Sequence, residues 1–138
     1  MCLFTTQIEP KIAKHNIKCW KFINDWTYKT WVPVYIYETG ELSYNCVLKP
    51  KNKQGKELEH LNIIKSNYVE EGFYAYKKKP DPNMITYNTF RLRRNLKLVR
   101  VIIPKGSEYI ENHTEIVALE MIVFRTWWDY IKWGLNIK

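Results

Sequence analysis

The stretch KLVRVIIPKGSEYIENHTEIVALEMIVF, residues 97–124, decides the fold. Leu98-Val99-Arg100-Val101-Ile102-Ile103 is an apolar, β-branched run of strand length that halts at Pro104-Lys105-Gly106. Proline has no amide to give a sheet ladder and glycine tolerates positive φ, so IPKG marks a strand end and a turn. A return strand is expected over residues 116–124. Arms this continuously apolar predict strands covered on both faces. Glu108, Glu111 and Glu115 lie between the arms and are expected in a solvated loop. Glu120 interrupts the apolar return run, so its charge either faces solvent or is kept for pairing or catalysis.

Working outward, residues 16–24 (NIKCWKFIN) alternate, with Ile17, Cys19, Lys21 and Ile23 on one side and Lys18, Trp20 and Phe22 on the other. That period of two predicts a strand. Residues 1–16 read as an extended arm with a turn at Glu9-Pro10. Residues 31–37 and 42–48 flank a Gly-containing loop and predict a hairpin. The polar, lysine-rich residues 49–59 read as an exposed loop, and residues 57–68 as a short helix. Gly72-Phe73-Tyr74-Ala75-Tyr76 is a further strand, ended by Lys77-Lys78-Lys79 and the breaker Pro80-Asp81-Pro82-Asn83. Asp81 or Asn83 would cap a helix over residues 84–95, with an irregular or strand reading of TYNTF as the alternative. Residues 125–138 read as an amphipathic helix with Trp128, Ile131 and Leu135 on one face and Trp127, Tyr130 and Gly134 near it. The fold class expected is α+β: one domain over residues 1–138, with a bent or split, mostly antiparallel sheet. One or two helices pack on it, including the C-terminal aromatic one.

The 138 residues are enough for a real core, and an apolar content of 46% argues against disorder. With 6 Trp, 10 Tyr and 5 Phe, some rings must lie at a surface or an interface. The 22 Lys and Arg against 14 Asp and Glu leave a net charge of +8, which favours an acidic partner such as a nucleic acid. Cys2, Cys19 and Cys46 form no CxxC pair and read as reduced thiols. No apolar run is long enough for a membrane span, and the N-terminus lacks the order of a signal peptide. A cytoplasmic location, in a host cell, is the expectation.

The strongest functional signal is charge distribution. Residues 77–105 hold nine basic side chains (Lys77, Lys78, Lys79, Arg91, Arg93, Arg94, Lys97, Arg100 and Lys105) against the single acid Asp81. With Tyr76, Tyr87 and Phe90 interleaved, this density suits phosphate contacts and base stacking. A merely solvated basic face, with Arg100 paired to a carboxylate such as Glu120, is the alternative. Trp127, Trp128 and Trp133 exceed what a helix needs to dock on its own sheet, and clustered Trp marks partner contacts. An aromatic seam closing the core would use the same residues. Cys2, exposed by removal of Met1, would be an N-terminal nucleophile, but no oxyanion motif accompanies it. His15, His60 and His113 show no metal-ligand spacing. There is no phosphate-cradling glycine loop, GxSxG or HExxH, and no cofactor is expected.

The start of the chain (Met1-Cys2-Leu3, Pro10-Lys11-Ile12-Ala13, Ile17-Lys18-Cys19-Trp20-Lys21) resembles small proteins of phages and prophages. So do Gly72-Phe73-Tyr74 and the block from Ile102 to Tyr109. The resemblance implies a mobile-element origin, where small basic proteins often disable host defences, as anti-CRISPR proteins do. A fainter likeness is to the ADP-ribosyltransferase-like fold. It implies an NAD-using enzyme with Glu120 as catalytic carboxylate and Tyr74 or Tyr76 in the middle block. The early strand offers Lys21 in place of that fold's Arg or His. The function expected is therefore a non-enzymatic, counter-defence binding protein for an acidic partner, a nucleic acid or a nucleoprotein of the host. A homodimer is a further possibility and a membrane is not expected; the alternative is the NAD-dependent enzyme.

Overall fold

The computed structural model describes residues 3–33, 41–64, 67–80 and 96–136. The helix expected over residues 84–95, most of the loop before residue 41, and Cys2 lie outside the described residues.

The centre is a pair of long antiparallel strands, β3 (Ile17–Asn24) and β9 (Leu96–Ile103). They run in register along their whole length, Ile17 opposite Ile103 and Asn24 opposite Leu96. β9 ends where the sequence requires. Gly106 has φ 94 and donates its amide to Ala13, Ser107 closes the turn on Pro104, and the Lys105 amide bonds Asn16.

The segment after the turn differs from expectation in two ways. Residues expected in a solvated loop form β10 (Glu108–Glu111) and begin β11 (Glu115–Ala118). The single return strand is also split at Leu119–Glu120 into β11 and β12 (Met121–Val123). The hydrogen bonds show where it leaves: the Leu119 amide still bonds the Glu108 carbonyl in line with the β10 ladder, and at Glu120 the amide turns to Ser107 Oγ.

The remaining strands are β1 (Leu3–Phe4), β2 (Lys11–Ile12), β4 (Thr30–Pro33), β5 (Leu42–Ser43), β6 (Val47–Leu48), β7 (Tyr68–Val69) and β8 (Phe73–Tyr76). The main sheet runs β2-β10-β11-β8-β3-β9-β12-β6, with β4 on β3 and β5 on β4; β1 and β7 form a separate ribbon. All of these pairings are antiparallel. One helix, α1 (Trp127–Asn136), follows β12. The architecture is the expected α+β. No helix covers the described part of residues 57–68. Instead Leu58 and Leu61 are buried in an irregular segment whose Leu61 amide is held by the Glu108 carboxylate at 3.1 Å.

Sheet order carries a geometric consequence. β11 and β12 are separated in the sheet by β8, β3 and β9, yet only Leu119 and Glu120 connect them. Four strand spacings in a flat sheet would be about 19 Å, whereas so short a link spans roughly 10 Å. The sheet must therefore curl. Its concave side holds one continuous core, with Cys19, Ile23, Trp31, Phe73, Ala75, Val99, Val101, Ile103, Ile116, Ala118, Met121 and Val123 all buried. Burial of each such large apolar side chain contributes about 1.5–3 kcal/mol.

The convex side carries two smaller clusters. In one, Leu3, Leu58, Leu61 and Val69 cover Tyr74, Ile110, Val117 and Leu119. In the other, Tyr130 and Trp133 of α1 pack on Ile102, Ile122 and Phe124. Both helix rings meet Phe124 edge-on, at 5.5 and 5.7 Å between centroids. The stripe read from the sequence is not the docked face: Trp128 and Leu135 point outward, 60% and 69% exposed.

Candidate nucleic-acid interface

Register pairing sets a row of side chains across the convex side, between its two apolar clusters. Glu115 of β11 stands opposite Tyr76 of β8, Tyr76 opposite Trp20 of β3, and Trp20 opposite Arg100 of β9. The Arg100 guanidinium carbon lies 4.0 Å from the Trp20 ring centroid and 5.2 Å from that of Tyr130, so it is stacked between a strand and the helix. Lys79 Nζ stands 5.3 Å from the same Trp20 ring. Lys18, two residues before Trp20 on the same side of β3, is exposed. Stacking engages the π-face of a guanidinium and leaves its in-plane N–H donors for acceptors. The buried Nε of Arg100 has no hydrogen-bond acceptor, and the ion pairs among the described residues do not include Arg100. It is not paired with Glu120.

Beside this row a cleft of about 330 Å³ opens between β9 and the start of α1. Trp20, Lys97, Arg100, Phe124, Arg125 and Trp127 contribute to its walls. Lys97 Nζ donates to the Arg125 carbonyl at 3.0 Å, and the Arg125 guanidinium stacks 3.7 Å from the Tyr28 ring. Trp127 is 63% exposed at the first position of the helix. Thr126 caps that helix, accepting the Asp129 amide at 3.0 Å.

The basic residues singled out from the sequence are not all brought together. Lys79 and Arg100 converge on the Trp20 ring, and Lys97 and Arg100 contribute to the cleft. Lys77 is drawn the other way, to Glu111 Oε1 at 2.9 Å and the Asn112 carbonyl at 3.1 Å. Lys78 is exposed beyond β8. Lys105 sits in the turn at the far end of β9, about 25 Å from Lys97 by strand rise. Arg91, Arg93 and Arg94 lie outside the described residues. Of the three tryptophans, Trp127 and Trp128 are exposed, while Trp133 is half-buried against Phe124.

The residues named for the enzymatic alternative are held differently. Lys21 is fully buried in the concave core, its Nζ 2.6 Å from the Tyr74 carbonyl. The Tyr74 hydroxyl is anchored on the carbonyls of Val69 and Glu70. Glu120 sits half-buried in the bend between β11 and β12. Burial raises the Glu115 carboxyl above its ordinary value. It also pushes the Cys19 thiol up to about 12, with the nearby Glu111 charge acting in the same direction. Tyr44 is raised by burial and by donating its hydroxyl to Asp25. Among the described residues no group of His, Cys, Asp and Glu is placed to hold a metal, and no helix is long and apolar enough to cross a membrane.

Trp20, Arg125 and Lys18 are the site members that sequence reasoning did not assign. Trp20 and Arg100 are 80 positions apart, and only the β3–β9 register puts them side by side. The usable signal was the alternation of residues 16–24, which already placed Lys18 and Trp20 on one side. Compared with known proteins, the chain matches no family model, no curated protein and no solved structure.

Proposed function

We propose that this chain is a non-enzymatic binding protein of the phage type, acting in counter-defence inside a host cell. It docks its Trp20–Arg100–Lys79 surface on a nucleic acid of the host or on a nucleoprotein. The observation that carries this reading is the Arg100 guanidinium, fixed between Trp20 and Tyr130 with no ion pair to a carboxylate among the described residues. A cation held by rings and unpaired among the described residues presents its donors to an outside acceptor, and phosphate is the acceptor that fits a forked, planar donor. Aromatic rings interleaved with cations are the usual means of holding bases and backbone together. The net charge of +8 adds long-range attraction to the same partner. Trp128, outward on α1, is the contact assigned to a protein partner or a second copy.

The test is fluorescence anisotropy of a labelled oligonucleotide with the full chain at increasing salt. Three phosphate contacts predict a loss of roughly 20-fold between about 50 and 200 mM salt. Lys79→Glu and Lys18→Glu, both at exposed positions, should each weaken binding further. Absence of binding at the lower salt, or indifference to both charge reversals, would overturn the reading.

A further inference from the structure

We propose that the cleft between β9 and α1 takes one unpaired nucleobase together with its phosphate, so that the protein selects single-stranded over duplex nucleic acid. The inference rests on the nucleic-acid reading above and specifies the ligand of that same surface.

Its first support is size. At about 330 Å³ the cleft lies at the small end of ligand sites, enough for one planar ring system and too small for a base pair. The second is chemistry. The indoles of Trp20 and Trp127 and the cations Lys97 and Arg100 contribute to its lining, and among the described residues no carboxylate does. A base needs an aromatic face and its phosphate needs a cation; both are present within one cavity.

The third support is an unused donor. The buried Nε of Arg100 has no acceptor among the described residues, and Arg100 lines this cleft. Unsatisfied buried donors are uncommon, and one in a cleft wall suits an outside acceptor. The Arg125 guanidinium, stacked on Tyr28, faces the neighbouring surface instead. The fourth is Trp127. Its indole is exposed at the rim, at the first residue of a capped helix. In a duplex the base faces are stacked on each other and only the phosphates would reach the cations. An unpaired strand offers both.

The experiment uses the full chain, a labelled oligothymidylate of about twelve residues, and the same strand annealed to its complement, at about 50 mM salt. The single strand should bind at least about 10-fold more tightly than the duplex. Trp127→Ala should lose about 10-fold on the single strand and change duplex binding less than about 2-fold. Trp26→Ala, an exposed indole away from the cleft, should change neither. A thermal melt verifies that Trp127→Ala is folded, as its exposure predicts. Equal binding of the two probes, or a Trp127→Ala variant with unchanged single-strand affinity, would overturn this inference while leaving the nucleic-acid reading standing. Failure of both probes to bind would remove both.

Discussion

Gly72→Ala should be among the most damaging single-methyl changes available to this fold. Gly72 precedes β8 with φ +142, a conformation L side chains rarely adopt. A Cβ there would sit 2.3 Å from Val117 Cγ1, 3.0 Å from Leu61 Cδ2 and 3.4 Å from the Ala118 carbonyl oxygen. Normal carbon contacts are about 3.5–4.0 Å, so the Val117 overlap exceeds 1 Å by any choice. Val117 cannot rotate away easily. Its χ1 is stiff, it is fully buried, and its strand is pinned to Tyr74. Overpacking of this kind costs about 1–3 kcal/mol and the backbone strain another 1–3, giving a sum near 4 kcal/mol. For a chain of this length that is a fall in Tm of about 12–16 °C. Gly106→Ala is the internal control, because φ is +94 but nothing lies within 4 Å of a Cβ, so only the backbone cost should appear. Adding Val117→Ala to Gly72→Ala should recover part of the loss by removing the clash. Thermal melts followed by circular dichroism, with urea unfolding as a second measure, decide it. A Gly72→Ala melt within about 3 °C of the parent would refute the reasoning.

Thr126→Ala removes the side-chain oxygen that accepts the Asp129 amide and should cost about 1 kcal/mol in urea unfolding, with Thr126→Ser restoring most of it. Raising pH should destabilise the protein above about 9. The folded state keeps the Cys19 proton until about 12 whereas the unfolded chain releases it near 9.0, so stability is complete below that value and declines through the window. The full Cys19 contribution is on the order of 4 kcal/mol. Urea midpoints across this range should fall less steeply in Cys19→Ala, and a parent midpoint that stays flat would contradict the burial. Tyr44, also raised, acts in the same direction, so Cys19→Ala should flatten the profile only in part.

Much of the scaffold was legible because its signals are local. The IPKG turn, the alternation of β3, the apolar run of β9 and the terminal helix each follow from a few adjacent residues. β10 was hidden by its own charges. Glu108 and Glu111 read as solvated, yet in the fold one carboxylate bonds the Leu61 amide and lies 2.6 Å from His60, and the other takes Lys77. Those partners are distant in sequence, so no local pattern announces them. The same distance explains the missing helix near residue 60, where burial of Leu58 and Leu61 against the β1–β7 ribbon replaces helical hydrogen bonding. The docked face of α1 was misjudged because periodicity alone cannot rank a Trp–Ile–Leu stripe against a Tyr–Trp pair that meets Phe124 edge-on. At the candidate interface a basic run was visible, but its division was not. Only the folded chain shows Lys79 and Arg100 gathering on Trp20 while Lys97 reaches the Arg125 carbonyl and Lys77 turns to Glu111.

The short link at Leu119–Glu120 also bears on recognition. By drawing β11 toward β12 it makes one surface of the sheet cave inward and the other bulge. Side chains on the inward surface converge and interlock. Those on the bulging surface fan apart, which leaves space between rows for a ring to stack, as Tyr130 of the helix does on Arg100. The room beside Trp127 is then a by-product of curvature, set by two residues that never touch a ligand. Lengthening the link would relax the curl, and the fanned rings would close ranks over the gap.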